Sequence, residues 1–154
     1  MKKTSFETLM QTRLLSSQRE VKEFDAALEE LSNTQLSESD ISQLFTVFID
    51  RTDKEDVMYG LLHLIEESDD KLMITALLAQ VPYMENFAPQ WLETFIYRIL
   101  NNEKCRETLT NHLSTAAKTS ARDGVIKVLS RIQTNSSEAI KARAKLVLSE
   151  VKKT

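Results

Sequence analysis

Residues 53–67 read DKEDVMYGLLHLIEE, and this stretch decides the fold class. Its apolar residues recur every three or four positions, which is the spacing of one face of an α-helix. Glu55 and Asp56 stand in the first turn, where the positive end of the helix dipole favours a carboxylate. The preceding Thr52-Asp53 predicts the N-cap. Because the apolar stripe is wide, we expect neighbouring elements to cover this helix heavily.

The same spacing extends over the rest of the 154 residues, and the presence of two glycines and two prolines also favours helices. The N-terminal stretch, with Leu14 on its apolar stripe, predicts one long helix or two, with Ser16-Ser17 as a break. We expect Pro89 to open a helix that contains a core Trp91 and closes at Asn101-Asn102. Further helices are predicted near 39–51, 69–81, 103–119, 121–133 and 136–152, with Ser37 or Ser39, Ser120 and Ser136 as caps and Pro82 as a stop.

Seven to nine helices joined by short turns predict antiparallel helical hairpins. Two packings compete, namely a superhelix of stacked hairpins and a compact bundle around the central helix. No repeat of fixed period is visible. We favour an all-α fold, an irregular α-α superhelix of armadillo- or HEAT-like stacked helical hairpins, formed by residues 1–154 as a single domain.

Charge is unevenly distributed along the chain. Residues 1–100 carry nine Lys and Arg against eighteen Asp and Glu, whereas residues 101–154 carry eleven against five. Eleven acids and three bases fall between Glu38 and Glu85. This stretch is where a basic partner would be attracted. The alternative is a set of ordinary solvated helix faces.

Catalytic and metal-binding patterns are missing from the sequence. His63 and His112 lie about fifty positions apart, and a catalytic zinc needs about three protein ligands. Cys105 has no partner histidine at a known spacing, and there is no glycine-rich phosphate loop. We therefore expect no enzyme, no cofactor and no metal, and a structural role for Cys105.

The basic C-terminal third raises the question of nucleic acid. Aromatic residues that would stack on bases are missing after Tyr97, so nucleic acid is not the expected partner. The basic residues at issue are Lys118, Arg122, Lys127, Arg131, Lys141, Arg143 and Lys145.

The sequence shows neither a membrane span nor an export signal. Glu7, Gln11 and Arg13 interrupt any apolar leader, and the lone cysteine fits a reducing compartment. We expect a cytoplasmic protein.

One group of side chains on the 53–67 helix suits a binding surface. Asp56, Tyr59, His63 and Glu66 or Glu67 recur at spacings of three and four, so they share the face opposite the apolar stripe. Tyrosine is common at binding hot spots, and the surrounding acids would orient a basic partner. The alternative is that Tyr59 and His63 are half-buried against a neighbouring helix.

Two stretches resemble a known family: Asp56-Val57-Met58-Tyr59-Gly60-Leu61-Leu62-His63-Leu64-Ile65-Glu66, and Ala88-Pro89-Gln90-Trp91 followed by Arg98-Ile99-Leu100-Asn101. The chain resembles the bacterial immunity protein 30 family over roughly residues 35–105. The resemblance implies an all-helical immunity protein that binds the cognate toxin domain of a contact-dependent or other polymorphic toxin system and protects the producer cell.

Many such toxins are nucleases with basic clefts, which an acidic helical face could fill. The alternative is an intracellular helical-repeat scaffold or adaptor that binds a protein or peptide unrelated to toxins. The predicted toxin-facing residues, called the 53–70 surface below, are Asp53, Glu55, Asp56, Tyr59, His63, Glu66, Glu67, Asp69 and Asp70.

Overall fold

The computed structural model describes residues 1–115 and 119–152, and all regular secondary structure in these ranges is α-helical. The all-α prediction is therefore confirmed, with nine helices over the described residues. Lys118 lies outside them. The helices are α1 (Lys3–Thr12), α2 (Gln18–Ser32), α3 (Glu38–Phe45), α4 (Glu55–Glu66), α5 (Asp70–Phe87), α6 (Pro89–Leu100), α7 (Glu103–Thr115), α8 (Ser120–Asn135) and α9 (Glu138–Lys152).

The helices group into two compact units, Met1–Leu77 and the part of the chain from Leu78 onward. In the first unit α1 packs on α2, and both α2 and α3 contact α4. In the second, α6 pairs with α7 and α8 pairs with α9, and contacts of α6 with α8 and of α7 with α9 stack the two hairpins. The hairpin prediction fits this packing, whereas the superhelical course of the whole chain and its single-domain organisation stay predictions.

Helix α4 is covered as predicted. Its buried side chains include Met58, Leu62 and Ile65, each with no exposed surface. Gly60 lets α2 approach closely, since a Cβ there would lie 3.0 Å from Leu28 Cδ1. Burial of this stripe holds α4 in place and leaves its opposite side to solvent.

Several predicted helix ends are confirmed. Ser17 caps α2 by accepting a hydrogen bond from the backbone N–H of Glu20, so the N-terminal stretch is two helices. Ser37, and not Ser39, caps α3 in a reciprocal capping box with Asp40. Pro89 is the first residue of α6, and Asn101 is its C-cap.

Other predicted caps are wrong. At α8 the Thr119 side chain, one residue before Ser120, accepts from the Arg122 N–H, and Ser136 ends α8 instead of starting α9. The N-cap position of α4 is Lys54, which makes no side-chain cap. The reason is that the Asp53 N–H donates to the Leu14 carbonyl at 2.9 Å, which holds Thr52-Asp53 in a turn before the helix.

The prediction that Pro82 ends a helix is also wrong, because α5 continues to Phe87. Proline lacks the N–H that would bond the Leu78 carbonyl, and an interior proline costs about 3 kcal/mol. Val81 and Met84 are fully buried on either side of it. Each contributes about 1.5–3 kcal/mol by burial, which offsets the cost of the lost bond.

In the second unit the predicted core residues are in place. Trp91 is 5% exposed, and Cys105 is buried. Gly124 allows α8 to pack against the C-terminal half of α5, because a Cβ there would overlap Glu85 Oε1 and lie 2.7 Å from Val81 Cγ1.

Candidate partner-binding surface

Helix α4 sets the direction of the central side chains of the 53–70 surface. At about 100° per residue, its outward positions are those of the predicted group. Asp56, His63 and Glu67 are exposed, and Tyr59 and Glu66 are half-buried. The predicted shared face is therefore present on the solvent side of α4.

Tyr59 and His63 form a ring pair at the centre of this face. Their ring centroids are 6.1 Å apart, and the ring planes are tilted by 40°. The half-buried state of Tyr59 agrees with the alternative interpretation, whereas His63 is exposed. The pair offers an amphipathic surface whose histidine is exposed to solvent.

The acids at two helix starts have structural explanations. Glu55 and Asp56 occupy the first turn of α4, where the helix dipole favours them. Asp69 Oδ2 accepts from the N–H groups of Lys71 and Leu72 at 3.1 and 3.3 Å, so it caps α5. Asp70 is the first residue of α5 and is half-buried.

Glu66 and Glu67 are different, because they stand at the C-terminal end of α4. Glu66 is its last residue, and Glu67 is the C-cap, exposed to solvent. A negative charge at this end of a helix is disfavoured by about 0.3–1 kcal/mol. The helix dipole therefore does not explain why glutamates occupy these two positions.

Three carboxylates of the 53–70 surface differ in their partners from Glu30 of the same unit. Glu30 lies beside Lys2 and Ser5, whose hydrogen bonds and the Lys2 charge lower its pKa. Within the described part of the chain, no Lys or Arg nitrogen lies within 4 Å of the carboxylates of Asp53, Glu55 or Glu67. Residues 53–70 carry seven Asp and Glu against one Lys, so the net charge of this stretch is negative.

Among residues 1–115 and 119–152, no group of three His, Cys, Asp or Glu residues could hold a metal ion. His112 lies on α7, with its Nδ1 2.9 Å from the Thr108 carbonyl. No helix in the described ranges is long and apolar enough to cross a bilayer.

Sequence reasoning missed one neighbour of the surface. Leu14 was expected on the apolar stripe of the first helix, but α1 ends at Thr12, and Leu14 is 45% exposed. Its carbonyl accepts the hydrogen bond from the Asp53 N–H. The prediction failed because Leu14 lies in the turn beyond α1, where the 3.6-residue period no longer applies.

The chain was also compared with known proteins. Residues 11–109, nearly two thirds of the chain, match the family described as immunity protein 30. The match includes the whole 53–70 surface and is wider than the resemblance seen in the sequence. No curated protein and no solved structure matches. The chain belongs to the immunity protein 30 family.

Proposed function

We propose that this immunity protein binds and neutralises one cognate bacterial toxin domain through the 53–70 surface, in the cytoplasm of the cell that makes the toxin. Family membership supports the immunity role, and the proposed inhibition is by binding, with no catalysis by this chain. The observation that carries the choice of surface is the exposed Glu67 at the end of α4 where the helix dipole disfavours it.

The charge of the surface supports a nuclease as the target. A nuclease needs a basic cleft to hold phosphates, and a stretch with seven acids and one lysine would be attracted to such a cleft. In interfaces between nucleases and protein inhibitors, close charge pairs are coupled by about 1.5–7 kcal/mol, and long-range attraction also speeds association. The proposed toxin belongs to a contact-dependent or other polymorphic system.

Helix α4 alone is too short to form a stable interface with a partner. Its twelve residues span about 18 Å. A stable interface buries roughly 800 Å² on each partner, so flanking residues such as Asp53 and Asp69 must contribute as well. Tyr59 supplies an aromatic side chain of the kind that is enriched at binding hot spots, and His63 lies beside it.

The test uses the toxin domain encoded immediately upstream of the gene for this chain, called the neighbouring toxin domain below. Co-expression of this chain should protect cells from that domain, and the two purified proteins should form a stable complex. If the chain neither protects nor binds, the proposal is wrong.

A charge-reversal pair locates the binding surface. Asp56→Lys with Glu67→Lys should slow association at least about tenfold at low ionic strength and weaken its salt dependence. The matched control is Asp25→Lys with Glu29→Lys, which changes the same charge at two exposed acids on α2. Equal effects of the two pairs would show that net charge alone matters, and would reject the 53–70 surface.

A further inference from the structure

We propose that Leu14 is an apolar anchor beside the 53–70 surface, and that it fits an apolar recess bordered by Lys or Arg on the neighbouring toxin domain. This inference rests on the proposed function. It adds an apolar contact to the acidic contacts that were proposed above. It starts from the 45% exposure of this leucine.

Leu14 lies partly outside the core. The next residue, Leu15, is 1% exposed and belongs to the core, whereas Leu14 leaves nearly half of its surface in water. Exposed large apolar side chains are few among the described residues, and the other leucine of this kind is Leu146 at 56%. The exposed part of Leu14 lies beside the acids of the 53–70 surface, which is the arrangement of an apolar contact with a polar rim.

The backbone at this turn is unusual. Leu15 has φ of 52°, the one positive value outside glycine in the described ranges. This left-handed conformation costs a side chain with a Cβ about 1–2 kcal/mol, and burial of Leu15 offsets that cost. The turn buries Leu15 and leaves Leu14 in solvent.

Three hydrogen bonds fix the turn. The Leu15 N–H donates to the Thr12 carbonyl at 2.9 Å, the Asp53 N–H donates to the Leu14 carbonyl at 2.9 Å, and Arg13 Nη1 donates to the Thr46 carbonyl at 3.1 Å. The backbone that carries Leu14 is thus ordered before any partner arrives. A preorganised contact loses less conformational entropy on binding.

The surroundings define the chemistry of the partner. The backbone N–H of Asp53 donates a hydrogen bond to the Leu14 carbonyl. Asp53, Glu55 and Asp56 are all exposed. Arg51 and Lys54 are also exposed there, so the segment from 50 to 56 carries four acids and two bases. An apolar side chain bordered by net negative charge is complementary to an apolar recess with cations on its rim.

The experiment measures binding kinetics of Leu14→Ala and Leu14→Lys with the purified neighbouring toxin domain. Leu14→Ala should weaken affinity about tenfold through faster dissociation with an unchanged association rate, because it removes buried apolar area and no charge. Leu14→Lys should weaken the affinity further than Leu14→Ala does. Leu146→Ala, the matched control in the other unit, should stay within about twofold of the unaltered protein.

The outcomes separate this inference from the proposed function. If Leu14→Ala binds within about twofold of the unaltered chain while the Asp56 and Glu67 reversals slow association, the anchor is rejected and the proposed function stands. A fall of the thermal midpoint of Leu14→Ala by more than about 3 °C would place this side chain in the core and also reject the anchor. If the unaltered chain does not bind, both are rejected.

Discussion

Replacing Glu67 by lysine should strengthen the fold and weaken binding, which is an outcome that a purely structural role cannot produce. Glu67 is the exposed C-cap of α4; its N–H donates to the His63 carbonyl, and the N–H of Ser68 donates to the Ile65 carbonyl. Because the backbone makes these bonds, substitution preserves them. Lysine replaces a charge that the helix dipole disfavours by one that it favours.

The magnitude follows from that position. Each charge at an exposed helix end is worth about 0.3–1 kcal/mol, so reversal at Glu67 should stabilise the chain by about 0.6–2 kcal/mol. For a chain of this length the thermal midpoint should rise by roughly 1–8 °C. The association rate with the neighbouring toxin domain should fall about threefold to tenfold at low salt, and the difference should shrink towards 1 M salt, where the Debye length is about 3 Å.

Differential scanning calorimetry and stopped-flow mixing measure the two effects of Glu67→Lys separately. Glu67→Gln, which removes one charge where lysine changes two, should give about half of each effect. A lowered midpoint would show that Glu67 stabilises the fold. An association rate equal to that of the unaltered chain at every salt concentration would remove Glu67 from the interface.

Other substitutions test the packing and the caps. Gly124→Ala should destabilise the chain by about 1–2 kcal/mol in urea unfolding, because the new methyl group meets buried Val81, whereas Gly60→Ala should stay within about 1 kcal/mol; equal costs would contradict the close approach. Ser37→Ala should cost about 1 kcal/mol by removing the cap of α3, and an unchanged urea midpoint would contradict it. Although partial burial acts in the opposite direction, the Ser37 hydrogen bonds and the nearby amino terminus hold the pKa of Asp40 below its usual value. That stabilisation is present above the unfolded pKa near 4 and is lost as pH falls through the folded pKa. Asp40→Asn should therefore be less stable than the unaltered chain at pH 7, with a gap that closes in urea unfolding at lower pH; a gap independent of pH would refute the linkage.

Much of the fold could be predicted because helix formation leaves a local pattern. The spacing in residues 53–67 identifies α4, and Ser17 and Pro89 mark helix starts through chemistry confined to a few residues. The prediction that Pro82 ends a helix was wrong because the burial of Val81 and Met84 outweighs the local cost of an interior proline. The predicted Thr52-Asp53 cap is absent because the Asp53 N–H donates to the carbonyl of Leu14, about forty residues earlier in the chain, and this hydrogen bond fixes the turn.

In the candidate site, too, one part could be predicted from the local sequence and another part could not. The shared outward face of Asp56, Tyr59 and His63 follows from their spacing on one helix. The position of Leu14 depends on a left-handed turn at Leu15 and on contact with a distant segment. Leucine is an uncommon residue for such a turn, so the local sequence carried no signal for it.

The central claim is that the acids around α4 face the toxin. Carboxyl-group labelling followed by mass spectrometry, on the free chain and on its complex with the neighbouring toxin domain, tests this most directly. Labelling of Asp56 and Glu67 should fall in the complex, whereas labelling of Asp25 and Glu29 on α2 should not change. Unchanged labelling of Asp56 and Glu67 in a fully formed complex would contradict the claim.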